Sequence, residues 1–205
     1  YNGSRGNRWL RNRIKIFKQF VVPSILGQTS QNYTVWLSVR PEDRNDPQIK
    51  DLEKYLKETF PSAVVTYNGL CFFDDKYPVE VARKRLVMAL HNTIGELFDY
   101  VGDVDDVLMT IQPSDDCYNK NMVRNLQDLF ANTDYQAIGY KHGYIMNYLT
   151  KELREYNPNT NPPFFTIKFS KEVFIEPLSH MNYTGPYQSH EYVGDKLKYL
   201  QLPER

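Results

Sequence analysis

Long hydrophobic runs are missing from this 205-residue chain: no stretch approaches the roughly 20 apolar residues of a membrane-spanning helix. No secretory leader pattern is visible. The chain begins at Tyr1 without a Met, which leaves room for a lost segment ahead of it. Cysteine is scarce, and Cys71 and Cys117 show neither metal-ligand spacing nor a disulfide framework. A reducing, cytoplasmic compartment is the simplest fit. An excess of one charge sign is also lacking, since 25 Lys and Arg balance 25 Asp and Glu. Such a balance gives no electrostatic footprint for nucleic acid or an anionic membrane. No repeat, linker or low-complexity tract divides the chain, so residues 1–205 read as one domain. Asn2-Gly-Ser, Asn32-Tyr-Thr and Asn182-Tyr-Thr match the glycosylation acceptor pattern, and read as chance matches among many Asn.

What is present argues for a folded globule. Hydrophobic residues make up 41% and aromatics 14%, far from a disordered composition. The sixteen tyrosines are ordinary core and rim material; the runs 140–148 and 183–187 could also stack on a sugar face.

Taken in order, residues 1–8 read as a loop. Leu10, Ile14, Phe17 and Val21 recur at helical spacing and predict an amphipathic helix over 9–22. Pro23 kinks or restarts it, and Gly27 offers an end. Residues 34–40 are β-branched and apolar, a strand. Ile49, Leu52, Leu56 and Phe60 predict a helix closed by Pro61, and 63–67 a second strand. A third helix carries Val79, Ala82, Leu86, Ala89 and Thr93 on one face. Strand signals recur at 107–112, with a helix through Met122, Leu126 and Leu129 after it. Further strands are predicted at 135–140, 144–149 and 164–169, and 150–163 reads as a polar loop or flap. Ser189 could cap a last helix through Val193, Leu197 and Leu200. Alternating strands and helices through about residue 130 predict an α/β fold with a mainly parallel sheet flanked by helices. The later, closer strands would extend or flank it as antiparallel additions.

The stretch around which these pieces organise is 107–118. Its first six residues have the pattern of a strand buried in a parallel sheet, and Pro113 stops the ladder. Asp115 and Asp116 follow at the strand's C-terminal end, where open α/β sheets bind ligands. Paired acids there suit a divalent cation acting on phosphate; the plainer alternative is an Asp-rich turn capping the next helix. Asp103-Val-Asp105-Asp106 precedes the strand, at the wrong end of the sheet, and reads as a solvent-facing loop.

The order of these parts, with several short motifs, resembles GT-A glycosyltransferases, and more narrowly their rhamnosyltransferase family. The matching pieces are Arg8-Trp9-Leu10 with Arg13 and Phe17, Val22-Pro23-Ser24 with Gln28-Thr29, Trp36, Arg85 with Ala89-Leu90, and Ser114-Asp115-Asp116. They cover about residues 8–130, which the resemblance makes a donor-binding half, with 131–205 completing the acceptor and metal side. The fold it implies is GT-A-like. The activity it implies is transfer of a sugar from a nucleotide-sugar donor to a glycan or other hydroxyl acceptor, with Mn2+ or Mg2+. Asp116 would hold the cation with support from Asp115, and His190 would complete the site, with His180 second. Arg8, Arg83 and Arg85 would meet the donor; the last two flank Lys84, and most such clusters are solvated helix faces. Glu191 and Asp195 are the candidate bases. Pro113 stands where such families carry an Asp, and the family's first strand would lie ahead of Tyr1. Two rivals stay open: a degenerate module that binds nucleotide or glycan without turnover, and another metal-dependent phosphate enzyme such as a nucleotidyltransferase.

Overall fold

The computed structural model describes residues 6–67, 79–110, 112–162, 164–176 and 193–203, with backbone alone over 6–7, 79–80, 82–87 and 89–91. The expected first helix is α1 (Gly6–Ile16), which runs through a π-helical turn at Phe17–Val21 into α2 (Val22–Leu26). Pro23 explains the wide turn. A proline inside a helix lacks the N–H and clashes with the carbonyl four residues earlier, and a wider register removes the clash. The Val22 N–H reaches back to Phe17 O, and Ser24 Oγ donates to Val21 O at 2.9 Å.

β1 (Trp36–Ser38) lies parallel to β2 (Val64–Thr66), joined by α3 (Pro47–Thr59), a right-length crossover for a βαβ unit. Asp46 caps α3 by accepting from Gln48 N at 2.8 Å. Leu52 and Leu56 of α3 are fully buried against Phe17, Val21 and Val22, so the first helical segment and α3 close one core.

The second core belongs to a four-stranded mixed sheet, ordered β3 (Asp106–Thr110), β7 (Phe165–Ser170), β4 (Ala137–Tyr140), β8 (Tyr199–Leu202). β7 is antiparallel to both β3 and β4, and β8 is parallel to β4. Phe165, Ile167 and Phe169 are buried on one face with Leu97 of α4 (Val79–Val101), Phe174 of α6 (Lys171–Ile175) and Val193 of α7 (Val193–Lys196). α5 (Met122–Asn132) covers the other with Met122, Leu126 and Phe130 against Ile138. The architecture is mixed α/β.

Three local readings need correction. The strand at 107–112 runs 106–110, and its neighbour is antiparallel β7 rather than a parallel strand, because its partner comes from 60 residues on. The polar stretch 150–163 contains β6 (Leu153–Tyr156), paired antiparallel with β5 (Gly143–Met146). Of the last helix the described residues hold one turn, Val193–Lys196, with the expected cap Ser189 outside them; 199–202 is strand β8, since Leu200 and Leu202 both pack against the α5 side. Asp106 and Asp103 pair with Lys168 and Lys171, a structural role for the other acidic cluster.

Candidate functional site at the acidic turn

Past β3 the chain turns sharply. Gln112 Nε2 donates to Pro113 O at 3.0 Å and to Asp116 O at 2.7 Å, and Asp116 N reaches Pro113 O at 3.4 Å. These bonds fix Asp115 and Asp116 on one tight loop. Asp115 is exposed, with 46% of its side chain accessible, whereas Asp116 is partly buried. Arg13 of α1 presses its guanidinium onto the Asp115 carboxylate and lies 5.2 Å from the Trp9 ring centre. Its Nη1 is buried and makes no aligned hydrogen bond, so the contact is an ion pair by proximity.

Burial, and then the adjacent Asp115 charge, push the Asp116 carboxyl up to about 6, although Arg13 pulls the other way. Burial likewise raises the Cys117 thiol, whose sulfur meets Ser24 although the residue as a whole is exposed. Tyr118 is raised by burial and by Asp116, and packs edge-on to Phe164 at 6.1 Å.

Behind the turn stands Gln28, buried at 5% exposure. Its Nε2 donates to Ser24 O at 3.0 Å and Asn119 O at 2.9 Å, and its Oε1 accepts from Val123 N at 3.0 Å. Val123 sits in the first turn of α5, where backbone N–H groups have no intrahelical partner. Asn121, the residue before α5, makes no side-chain cap, so Gln28 caps the helix from nearly a hundred residues away. Thr29 N donates to Lys120 O at 2.8 Å and Thr29 Oγ1 to Asn121 Oδ1 at 3.1 Å. The segment 23–29 is thereby laced to the chain just after the acids. Neither the Gln28 cap nor the Arg13 pair is visible as spacing in the sequence, although both residues lie in the short motifs quoted above.

Of the other candidates, Arg8 is exposed on α1 and Asp195 is exposed on α7. Arg83 and Arg85 lie on the backbone of α4, with their side chains outside the described residues. His180, His190 and Glu191 lie outside the described residues altogether. Among the described residues, no group of three or more His, Cys, Asp or Glu is placed to hold a metal ion, and no helix is long and apolar enough to cross a membrane.

The chain matches no family model, no curated protein and no solved structure. The functional reading therefore rests on the acidic turn, its partners and the motifs they belong to.

The turn carries a stability signature. A carboxyl raised from 3.8 to about 6 binds its proton more tightly in the folded chain. Its contribution to stability is fully present below about pH 4 and is lost as pH rises through about 6. Two units correspond to about 3 kcal/mol, and partial exposure brings this to about 1–2 kcal/mol. Asp116→Asn is therefore expected to raise the melting temperature by about 2–6 °C at pH 8 and to leave it unchanged at pH 3.5. A gain of equal size at both pH values would show that the charge is not its source.

Proposed function

We propose that the chain is a metal-dependent glycosyltransferase of GT-A type, moving a sugar from a nucleotide-sugar donor to a glycan or other hydroxyl acceptor. One observation supports this above the rest. Arg13 meets the Asp115-Asp116 turn itself and Gln28 holds the chain just after it, although about a hundred residues separate both from that turn. A purely capping Asp-rich turn would have no need of a half-buried guanidinium brought from another helix.

The donor set suits the cation. Both carboxylates are hard oxygen ligands, and Mg2+ is commonly held by one or two carboxylates with water and substrate phosphate completing the shell. Asp116, crowded by Asp115 without an aligned cationic partner, would be the principal ligand and Asp115 the support. The chemistry that Mn2+ or Mg2+ supplies when bound is neutralisation of charge on the donor diphosphate as it leaves. Arg13 sets the local charge and keeps Asp115 oriented. Arg8, Arg83 and Arg85 are our proposed donor-phosphate contacts, His190 the further cation ligand, and Glu191 or Asp195 the base that takes the acceptor proton. The parallel pair β1–β2 with its α3 crossover, and the parallel pair β4–β8 in the mixed sheet, are the elements that favour a GT-A-like arrangement; β1–β2 forms a sheet of its own, and β3 and β7 make the other sheet mixed. We place the protein in the cytoplasm, in keeping with its single described cysteine, Cys117, being a free thiol.

A binding module without turnover is the second reading, favoured by Pro113 in the turn and by the Arg13 charge already set against Asp115. One experiment tests both. Melting temperatures are measured with a panel of nucleoside diphosphates and nucleotide-sugars, with and without Mn2+, for wild type and Asp116→Asn. A metal-dependent rise with one nucleotide, lost in Asp116→Asn, is expected. Release of nucleoside diphosphate from the matching donor then marks a glycosyltransferase, binding without release marks the module, and release of pyrophosphate from the matching nucleoside triphosphate with a sugar 1-phosphate marks a nucleotidyltransferase. No shift with any ligand rejects donor binding.

A further inference from the structure

β5 and β6 form an antiparallel hairpin outside the four-stranded sheet, packing mainly on each other. Its turn is well built. Asn147 N donates to Glu152 O at 2.9 Å, Lys151 N donates to Asn147 O at 2.7 Å, and Asn147 Oδ1 accepts from Leu149 N at 3.0 Å. Lys151 takes a left-handed φ of 65° and holds its ammonium 4.2 Å from the Phe20 ring centre. The hairpin is thus a positioned arm, yet it leaves Tyr144, Ile145, Met146, Leu149 and Leu153 exposed, Leu153 at 58%. No further strand pairs with the outer edge of β6 among the described residues. A two-stranded hairpin with apolar residues in water is marginal by itself.

We propose that β6 pairs edge to edge with β6 of a second copy of this chain, antiparallel about a two-fold axis at Leu153. The result is a four-stranded sheet, β5–β6–β6–β5.

Hydrogen-bond alternation and charge both select this register. Asn147 and Glu152 form a bonded pair, so Ile145 and Arg154 form the next one inward from the turn. Leu153 between them turns its own N–H and C=O to the open edge, where it meets Leu153 of the second copy. Met146 lies opposite Leu153 within each hairpin, so a continuous apolar row of Met146 and Leu153 from both copies crosses the new sheet. On the other face Arg154 falls opposite Glu152 of the second copy, and the two-fold axis makes this pair twice. Moving the axis to Arg154 or to Glu155 would set like charges face to face, which is unfavourable for directly opposed residues. The contact is short, well under the roughly 1,200 Å2 of a stable specific interface, so association depends on concentration.

The test is sedimentation of the full chain from low to high micromolar concentration. The apparent mass is expected to rise toward two chains. Arg154→Glu alone and Glu152→Arg alone should each weaken self-association by about tenfold or more, and the double exchange should restore it. Both side chains are exposed, and circular dichroism checks that each variant is folded. A second variant is independent of charge. Leu153→Cys should cross-link two copies under mild oxidation, since facing residues of a bonded pair lie about 5.5 Å apart, within disulfide reach. Ile145→Cys, equally exposed on the inner strand, should not. A chain that stays monomeric throughout, a dimer indifferent to the single reversals, a swap that fails to restore it, or equal cross-linking at both positions would each overturn the proposal.

Discussion

Gln28→Ala is expected to cost about 3 kcal/mol and to lower the melting temperature by about 6–12 °C. The substitution strands the Ser24 carbonyl and the Val123 N–H and leaves the Asn119 carbonyl with Met122 N alone, three groups now met by one carboxamide. Each buried polar group left without a partner costs about 1–3 kcal/mol, and the space vacated lets water recover part of the total. Gln28→Glu should be worse near neutral pH. It turns the donor end of the amide into an oxygen facing two carbonyl oxygens, and it buries a charge. That extra loss should shrink in acid as the carboxyl becomes protonated. Urea melts of the two variants at pH 7.5 and 4.5 decide the matter. If Gln28→Ala costs under about 1 kcal/mol, the side chain is not what ties 23–29 to the acidic turn. Hydrogen exchange supplies the link to the site, because loss of the tie should speed exchange over residues 114–123.

Much of the local structure could be read from residue spacing. Ile49, Leu52 and Leu56 repeat every three or four residues, and all three are fully buried in α3. Pro23 announced a break, which the helix absorbs as a π turn. Strand pairing was harder to read, because a strand's own residues do not name its neighbour. β3 has the mostly apolar pattern of a parallel strand, yet it pairs with β7, which arrives only after α5, β4 and the β5–β6 hairpin. β8 misled for a related reason. Val193, Leu197 and Leu200 keep helical spacing, but the helix ends at Lys196 and the burial of Leu200 and Leu202 follows strand alternation. β6 gave little apolar signal because both faces of the arm meet solvent.

The site was legible in the same partial way. Two adjacent acids after an apolar run were visible in the sequence, as was the motif containing Gln28. That Arg13 would be the counter-charge was not, because it depends on α1 lying beside the turn after β3, a tertiary fact. Nothing in the spacing around Asp116 shows how far it is buried. Its burial beside Tyr118 changes the charge it carries near neutral pH and gives the turn its predicted pH signature.

Gly139→Ala should be among the most damaging single-methyl additions in the described chain, costing about 3 kcal/mol, and Gly139→Val should prevent folding. Gly139 pairs with Phe165 on one side and Gln201 on the other, in the middle of the mixed sheet. A Cβ there would lie 2.5 Å from the Tyr199 hydroxyl, 2.7 Å from Phe164 O and 2.8 Å from Phe165 Cβ. Phe164 O cannot retreat easily, since it accepts from Tyr140 N at 2.9 Å. The Tyr199 hydroxyl is held as well, donating to Asn161 Oδ1 at 2.9 Å. Against this stands a gain of about 0.5–1 kcal/mol from a less flexible unfolded chain, too small to offset the overlap. Gly95→Ala isolates that smaller gain. Gly95 is exposed in the middle of α4, where an added Cβ would meet nothing within 4 Å, so the variant should be stabilised by about 0.5–1 kcal/mol. Measured side by side in urea, the two alanines are expected to move the midpoint in opposite directions. A neutral Gly139→Ala would mean that β4 and β7 sit farther apart at this point than the register and contacts require.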